Sequence, residues 1–191
     1  MSEPAPRLSL QQRVSSAILD GAAHIFAVHG DQASMSDVAD AAGVARATLY
    51  RYFPSREALL DELTRAALDD VERRLVAARI DAVAPEEGIA RAVRALVEVG
   101  DPLVLVARRR PWADPDAVQQ RLTDPLRRLF ERAQEEGAVR RDIVAARLTE
   151  SLIGLVVGVL TSSPPMGRED MTATVTGLLL DGARARGPHL P

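Results

Sequence analysis

The 191-residue sequence contains no cysteine and few aromatic residues. Without cysteine, a disulfide framework and thiol chemistry are excluded. Aromatic residues make up 3% of the chain and apolar residues 47%, so the core must consist mainly of leucine, valine and alanine. The longest apolar run, residues 152–160, is much shorter than the ~20 residues that a membrane-spanning helix requires. The N-terminus has no apolar signal core, which favours a cytoplasmic protein with no membrane partner.

Residue patterns typical of catalysis are also scarce. His24 and His29 are separated by about 140° around a helix, so they cannot chelate one metal from a single helix face. The sequence has neither a phosphate-cradling glycine loop nor a G-x-S-x-G elbow. The adjacent acidic pairs at residues 86–87 and 135–136 are interpreted as solvated charges near helix ends. We therefore predict no enzymatic activity, no metal site and no cofactor.

The charge of the chain does not by itself indicate a nucleic-acid binder. The net charge is −3, and all the basic residues are arginine along the whole length, which we interpret as genome composition. A local cluster is more informative. Arg46, Arg51 and Arg56 lie close together in sequence and are opposed only by Glu57.

Residues 34–60 contain two short helical patterns joined by a glycine, followed by a proline and the start of a third helix. Ser34 can cap the first helix, and Asp37, three residues later, completes a capping box. Gly43 supplies the tight turn between the two helices.

The second of these helices, predicted for residues 45–52, has two different faces. Leu49 and Phe53 point to one side, whereas Ala47 and Arg51 point to the other, flanked by a hydroxyl and a phenol. One face is suited to packing and the other to polar contacts. This arrangement indicates a helix-turn-helix, whose second helix enters a DNA major groove.

The sequence DVADAAGVARATLYRYFPSREALL, residues 37–60, resembles the DNA-binding signature of the tetracycline-repressor (TetR) family of transcription regulators. The resemblance covers roughly residues 10–65 and includes the AGV turn, the TLY-x-x-F core and the S-R-E-x-L-L start of the next helix, all in register. The remainder resembles the family in size, helical content and the AQEEGAVRRDI turn before an apolar helix. That part identifies no ligand.

The resemblance implies double-stranded operator DNA as a partner and assigns roles to individual positions. The expected DNA-binding residues are Ser34, Arg46, Ala47, Thr48, Tyr50, Arg51, Tyr52 and Arg56. The positions of Arg46, Ala47 and Tyr50 are expected to face bases, whereas the others in the second helix contact the DNA backbone. Arg56 is expected to grip a phosphate. By its chemistry, Arg46 could either fork onto guanine or clamp phosphate.

Apolar residues at helical spacing predict an all-α protein with about nine helices and no strand. The expected helices are residues 10–28, 34–42, 45–52, 55–80, 85–99, 103–110 (after a start signal at 101–102), 144–161 and 168–184, with two segments or one kinked helix between 114 and 136. Asp114 and Asp124 each precede proline, as an N-cap does. We predict a disordered arm (1–7), a helix-turn-helix head (8–54) and a helical ligand-binding and dimerisation domain (55–191).

Residues 147–160, RLTESLIGLVVGVL, are apolar nearly all round the predicted helix, and such a helix has to be covered on every face. Gly154 and Gly158 are one turn apart, which permits close helix approach. A second copy of the chain is the simplest cover, and a monomeric core helix is the alternative. The resemblance also implies a dimer. The expected interface residues are Leu152, Gly154, Leu155, Gly158, Val159, Val175, Leu178 and Leu179. A two-fold dimer would read a palindrome with half-sites ~34 Å or more apart.

The resemblance further implies that the C-terminal domain senses a small effector and that ligand binding shifts the fourth helix, which weakens DNA binding. The scarcity of polar groups in the apolar stretches favours an apolar effector. The candidate pocket residues are Val93, Leu96, Leu103, Val106, Trp112, Leu126 and Phe130, although residues of this kind belong to the core more often than to a pocket. The alternative function is a helical protein–protein interaction module without sequence-specific DNA binding.

Overall fold

The computed structural model describes residues 9–108 and 114–184, apart from the side chain of Asp31. Within these ranges every regular element is helical, which confirms the all-α prediction. In chain order the α-helices are α1 (Leu10–His29), α2 (Met35–Ala41), α3 (Arg46–Tyr52), α4 (Arg56–Ala78), α5 (Pro85–Val99), α6 (Asp101–Arg108), α7 (Pro115–Val118), α8 (Asp124–Glu135), α9 (Ala145–Leu160) and α10 (Arg168–Ala183). The predicted disordered arm, residues 1–7, lies outside the described residues.

The chain divides into two compact units, and the division falls after Thr64, within α4. The predicted boundary between head and C-terminal domain, at residues 54 and 55, stays a prediction. It was based on where α4 begins. Each of the two compact units includes part of this long helix.

In the N-terminal unit, α1 packs against α2 and α2 packs against α3. Ile18, Val38 and Leu49 are completely buried. Gly21 allows the close approach of α1 to the end of α2, since a Cβ atom at this position would lie 3.0 Å from the backbone nitrogen of Ala42. The absence of a side chain at Gly21 therefore determines how closely α1 and α2 pack.

The second unit is built around a single buried cluster of mainly aliphatic residues, as the composition predicts. α5 packs against α10, α8 and α9, and α9 also packs against α8 and α10. Phe130 is the one aromatic residue of this cluster within the described part of the chain. An antiparallel bridge between Val139 and Arg184 joins the segment after α8 to the end of α10.

Residues 115–135 form one continuous helical run, in which a π-helical segment, Gln119–Thr123, separates α7 from α8. The predicted cap at the start of this run is confirmed: the Asp114 carboxylate accepts a hydrogen bond from the Ala117 N–H at 2.9 Å. The predicted cap at Asp124 is wrong. The residue before it, Thr123, is already helical, so the chain does not restart there, and Asp124 instead pairs with Arg127 at 3.3 Å.

Local backbone signals fix several helix ends. α5 begins at Pro85, as predicted, and is terminated by Gly100, whose φ is +71°. α4 ends at Ala78, two residues before the predicted end at Ile80, because Arg79 adopts a left-handed φ of +50°. Such a conformation cannot continue a right-handed helix.

Candidate functional site

The α2–turn–α3 segment has the predicted start and turn. The Ser34 hydroxyl accepts a hydrogen bond from the Asp37 N–H at 3.2 Å, and the Asp37 carboxylate accepts one from the Ser34 N–H at 2.9 Å. The backbone N–H and the hydroxyl of Ser34 together hold the pKa of the Asp37 carboxyl below its usual range. Gly43 turns the chain with a φ of +64°. The capping box therefore gives α2 a defined first turn.

α3 presents a polar face to solvent because its apolar face is buried. Leu49 is completely buried, and Phe53, directly after the helix, is 6% exposed. The side chains of Arg46, Ala47 and Arg51 are exposed, and the Tyr50 ring is 42% exposed. Four of the predicted DNA-binding residues thus lie together on one accessible surface.

The remaining predicted residues of α3 flank this surface. Thr48 and Tyr52 are half-buried. The Arg51 guanidinium lies 5.6 Å from the centroid of the Tyr52 ring. The contact with the ring restricts the rotamers of the arginine side chain. Less conformational entropy is then lost when the arginine binds an anion. Arg51 and Tyr52 therefore form a partly ordered pair beside the exposed face.

Arg56 has a structural environment that the sequence does not reveal. Its side chain is half-buried, and its guanidinium lies 4.9 Å from the centroid of the Phe26 ring. One guanidinium nitrogen donates a hydrogen bond to the Gly30 carbonyl oxygen at 3.4 Å. These contacts join α4 to the end of α1, which lies 26 residues earlier in the chain. No local sequence pattern could have predicted them.

The structure divides the predicted interface residues of α9 and α10 into two groups. Leu152 and Val175 are completely buried within one chain, and Leu179 is 5% exposed. Gly154 and Gly158 are exposed, and a Cβ atom at either position would meet no atom within 4 Å. Three further members of the set are accessible. Leu155 and Val159 are half-buried, and Leu178 is 59% exposed. This second group, which is accessible within one chain, is called the open strip of α9 and α10.

The predicted effector pocket residues lie in the core of the second unit. The six that the structure describes are all completely buried: Val93, Leu96, Leu103, Val106, Leu126 and Phe130. Trp112 lies outside the described residues. None of the six lines either of two clefts that the structure shows in the described part of this unit, one between α4 and α8 and the other between α5 and α10.

Two further findings concern the described residues as a whole. No group of three or more histidine or acidic residues in this part of the chain is arranged to hold a metal ion. No described helix is long and apolar enough to cross a membrane.

A two-unit helical chain with a capped helix-turn-helix and an exposed cationic face is typical of bacterial DNA-binding regulators. The family described as "Bacterial regulatory proteins, tetR family" matches residues 18–63. The transcriptional regulator NfxB of Pseudomonas aeruginosa is 32% identical over 134 residues, which cover 68% of this chain and 72% of NfxB. The chain therefore belongs to the TetR family, which confirms the resemblance seen in the sequence.

Other relatives match over shorter parts of their length. The transcriptional repressor KstR2 of Rhodococcus jostii is 38% identical over 45% of this chain and 44% of its own length. The transcriptional repressor LfrR of Mycolicibacterium smegmatis is 35% identical over 61% of both chains. This chain thus spans about half to three fifths of the length of these two relatives.

Solved structures share the complete fold at low identity. The ketosteroid regulator KstR2 of Mycobacterium tuberculosis has a TM-score of 0.73 at 22% identity, over 96% of this chain and all of the other. LfrR of Mycobacterium smegmatis in complex with proflavine has a TM-score of 0.71 at 23% identity, over 91% and 98% of the two chains. AibR in complex with isovaleryl coenzyme A and operator DNA has a TM-score of 0.69 at 20% identity, over 87% and 98%. These likenesses establish the TetR-like arrangement of helices.

Proposed function

We propose that this protein is a transcriptional repressor that binds a palindromic operator as a homodimer and releases it when a small, mainly apolar effector binds the second unit. The observation that carries the proposal is the exposed face of α3. Arg46, Ala47, Tyr50 and Arg51 are accessible there, while Leu49 anchors the opposite face in the core. The proposal includes no catalytic step, and a regulator of this kind acts beside the chromosome, in the cytoplasm.

In this proposal α3 lies in the major groove. Arg46 begins the helix, and its guanidinium has the geometry for a bidentate contact with guanine O6 and N7. Tyr50 offers its ring to a thymine methyl group. The Arg51–Tyr52 pair contacts phosphate, since a stacked guanidinium still presents its N–H groups at the ring edge. Ser34 lies at the start of α2, where its N–H and hydroxyl are already engaged by Asp37, so it contributes by holding α2 in place.

The open strip on α9 and α10 supports a two-fold dimer. Gly154 and Gly158 leave room for a close helix neighbour on α9, and Leu178 exposes an apolar side chain on α10. A second copy would cover this strip with the same residues, as a two-fold interface requires. Leu152, Val175 and Leu179 then support the interface from inside the protomer core.

The effector response would pass through α4, since this helix contributes residues to both units. An effector that favours one position of α4 changes the spacing of the two α3 helices and lowers operator affinity. Thermodynamic linkage requires the operator to weaken effector binding by the same factor. The complexes of AibR with isovaleryl coenzyme A and of LfrR with proflavine support a small-molecule effector by analogy.

The test is selection of bound duplexes from a random DNA pool by the purified protein at two salt concentrations. A recovered palindrome with salt-sensitive affinity is expected, because phosphate contacts release counterions. Arg46→Ala should relax one base position in each half-site and cost about 1–3 kcal/mol of discrimination. Arg94→Ala, an exposed arginine of α5, is the matched control and should leave selection unchanged. Weak, non-specific binding without a motif would favour the interaction-module alternative.

A further inference from the structure

The cleft between α4 and α8 has an apolar floor and an arginine-rich rim. Its volume is about 470 Å³, within the range of small-molecule sites. Leu75, Ile80 and Leu129 form the buried part of the floor, and Val76, which lines the same cleft, is 71% exposed. An exposed valine beside a buried apolar floor is accessible to a ligand without any rearrangement of the core.

Three arginines line this cleft, and they differ in how they are engaged. Arg132 closes one end, where it donates hydrogen bonds to the carbonyl oxygens of Ile80 at 2.8 Å and Asp81 at 2.6 Å. Arg121 pairs with Asp69, and also with Glu72 at 3.6 Å. Arg128 is exposed and makes no ion pair with any other residue that the structure describes. The cleft therefore holds one cation open to an incoming anion.

The acidic residues of the cleft do not cancel this charge. Glu72 is paired with Arg121, and Asp81 is exposed at the end that Arg132 closes. Three arginines and two acids line the cleft, and Asp69, which lies outside the lining, is shared between Arg121 and Arg65, so it does not neutralise Arg121 alone. A ligand with a negative head and an apolar body therefore matches the cleft better than a cation or a neutral polar molecule.

The π-helical segment places Gln120 and Arg121 on the cleft wall. A π segment widens the helix locally and re-aims the side chains it carries, and such segments are frequent at functional sites. Here it brings Arg121 within reach of α4 as well as of the cleft. Arg121 thus connects the cleft to the acidic side chains of α4.

We infer that this cleft binds a small amphipathic monocarboxylate, with its apolar body on Val76 and Leu129 and its carboxylate at Arg128 and Arg121. As an effector site, the inference rests on the proposed function. A bound carboxylate competes with Asp69 and Glu72 for Arg121. It therefore loosens the ion pairs that hold α4, which is the helix through which an effector would act.

The binding test uses decanoate as the probe and the full-length protein without DNA, measured by titration calorimetry. Saturable binding is expected for decanoate, and no measurable heat for acetate, which lacks the apolar body, or for decyltrimethylammonium, which has the opposite charge. Arg128→Gln should weaken decanoate binding about tenfold or more, since it removes a charge-assisted hydrogen bond. Val76→Asp should weaken it similarly by placing a negative charge on the floor. Both positions are exposed, so folding should be retained.

Arg94→Gln is the matched control, because Arg94 lines the other cleft, between α5 and α10. This variant should leave decanoate binding unchanged. If Arg94→Gln abolished binding and Arg128→Gln did not, the assignment of decanoate to the cleft between α4 and α8 would be overturned. The absence of saturable binding at millimolar decanoate would overturn it too. A separate measurement of operator affinity with and without decanoate tests the regulatory link. Because the calorimetry involves no DNA, its result would still hold if the protein proved not to be a repressor.

Discussion

The Arg56 guanidinium lies 4.9 Å from the centroid of the Phe26 ring, which is 3% exposed in the core of the N-terminal unit. The same side chain donates a hydrogen bond to Gly30 at the end of α1. Arg56 therefore stabilises the junction of α1 and α4 whether or not DNA is bound. Its expected phosphate contact would come in addition to this structural role.

Arg56→Ala should consequently lower the free energy of unfolding of the N-terminal unit, by about 1 kcal/mol, since a cation–π contact and a hydrogen bond are lost. Urea denaturation measures this. Arg56→Lys keeps a positive charge that can contact phosphate, but lysine cannot stack on the Phe26 ring as the planar guanidinium does. Relative to Arg56→Ala, it should therefore recover more of the DNA affinity than of the stability. If Arg56→Ala weakened DNA binding at unchanged stability, the contact with Phe26 would have no structural importance.

Features that depend on neighbouring residues could be predicted from the sequence. The Ser34–Asp37 capping box and the Asp114 cap each involve residues three apart, and the turn at Gly43 requires only a glycine. The wrong prediction of a cap at Asp124 was also made from a local pattern. Its Asp-Pro pattern matches that of Asp114, but the preceding π segment is already helical, and no local signal reveals it.

Features that depend on distant residues could not be predicted. The contacts of Arg56 with α1 and of Arg121 with Asp69 join residues 26 and 52 positions apart. Periodicity identifies apolar helical residues such as Val93 and Phe130 but cannot tell a closed core from a ligand cavity. Both residues are completely buried, whereas the open cleft is lined by arginines that the sequence pattern shows only as a solvated helix face.

Gly88→Ala should destabilise the second unit. A Cβ atom at this position would lie 2.6 Å from the Ile80 carbonyl oxygen and 2.9 Å from Leu129 Cδ1, so the loop after α4 or α8 must move. Overpacking of this kind costs about 1–3 kcal/mol. Gly182→Ala is the control, because a Cβ atom there meets nothing within 4 Å, and it should be neutral or stabilising. Thermal unfolding of the two variants measures the difference, and equal melting temperatures would contradict the predicted close approach.

Gly158→Leu should separate the dimer without unfolding the protomer. Within one chain the new side chain has open space, but in the proposed dimer it would occupy the place of the partner's helix. Sedimentation velocity should show a shift from dimer to monomer at unchanged helical content. Ala173→Leu adds similar bulk on the exposed face of α10 that lines the other cleft, and it should remain dimeric. A dimeric Gly158→Leu variant would place the interface elsewhere.

Asp37→Ala should destabilise the N-terminal unit at neutral pH but not in acid. The Ser34 N–H and hydroxyl lower the pKa of the folded Asp37 carboxyl below its ordinary value of 3.8. Its contribution to stability is therefore fully present above that value and is lost as the pH falls through the lowered folded pKa. Urea denaturation of the wild type and the variant should give curves that differ at pH 7 and converge only as the pH falls below 3.8 and through the lowered folded pKa. Asp40→Ala changes an exposed acid of the same helix outside the capping box, so it separates loss of the cap from loss of a charge. A difference between wild type and Asp37→Ala that is constant with pH would show that the ionised carboxylate is not what stabilises α2.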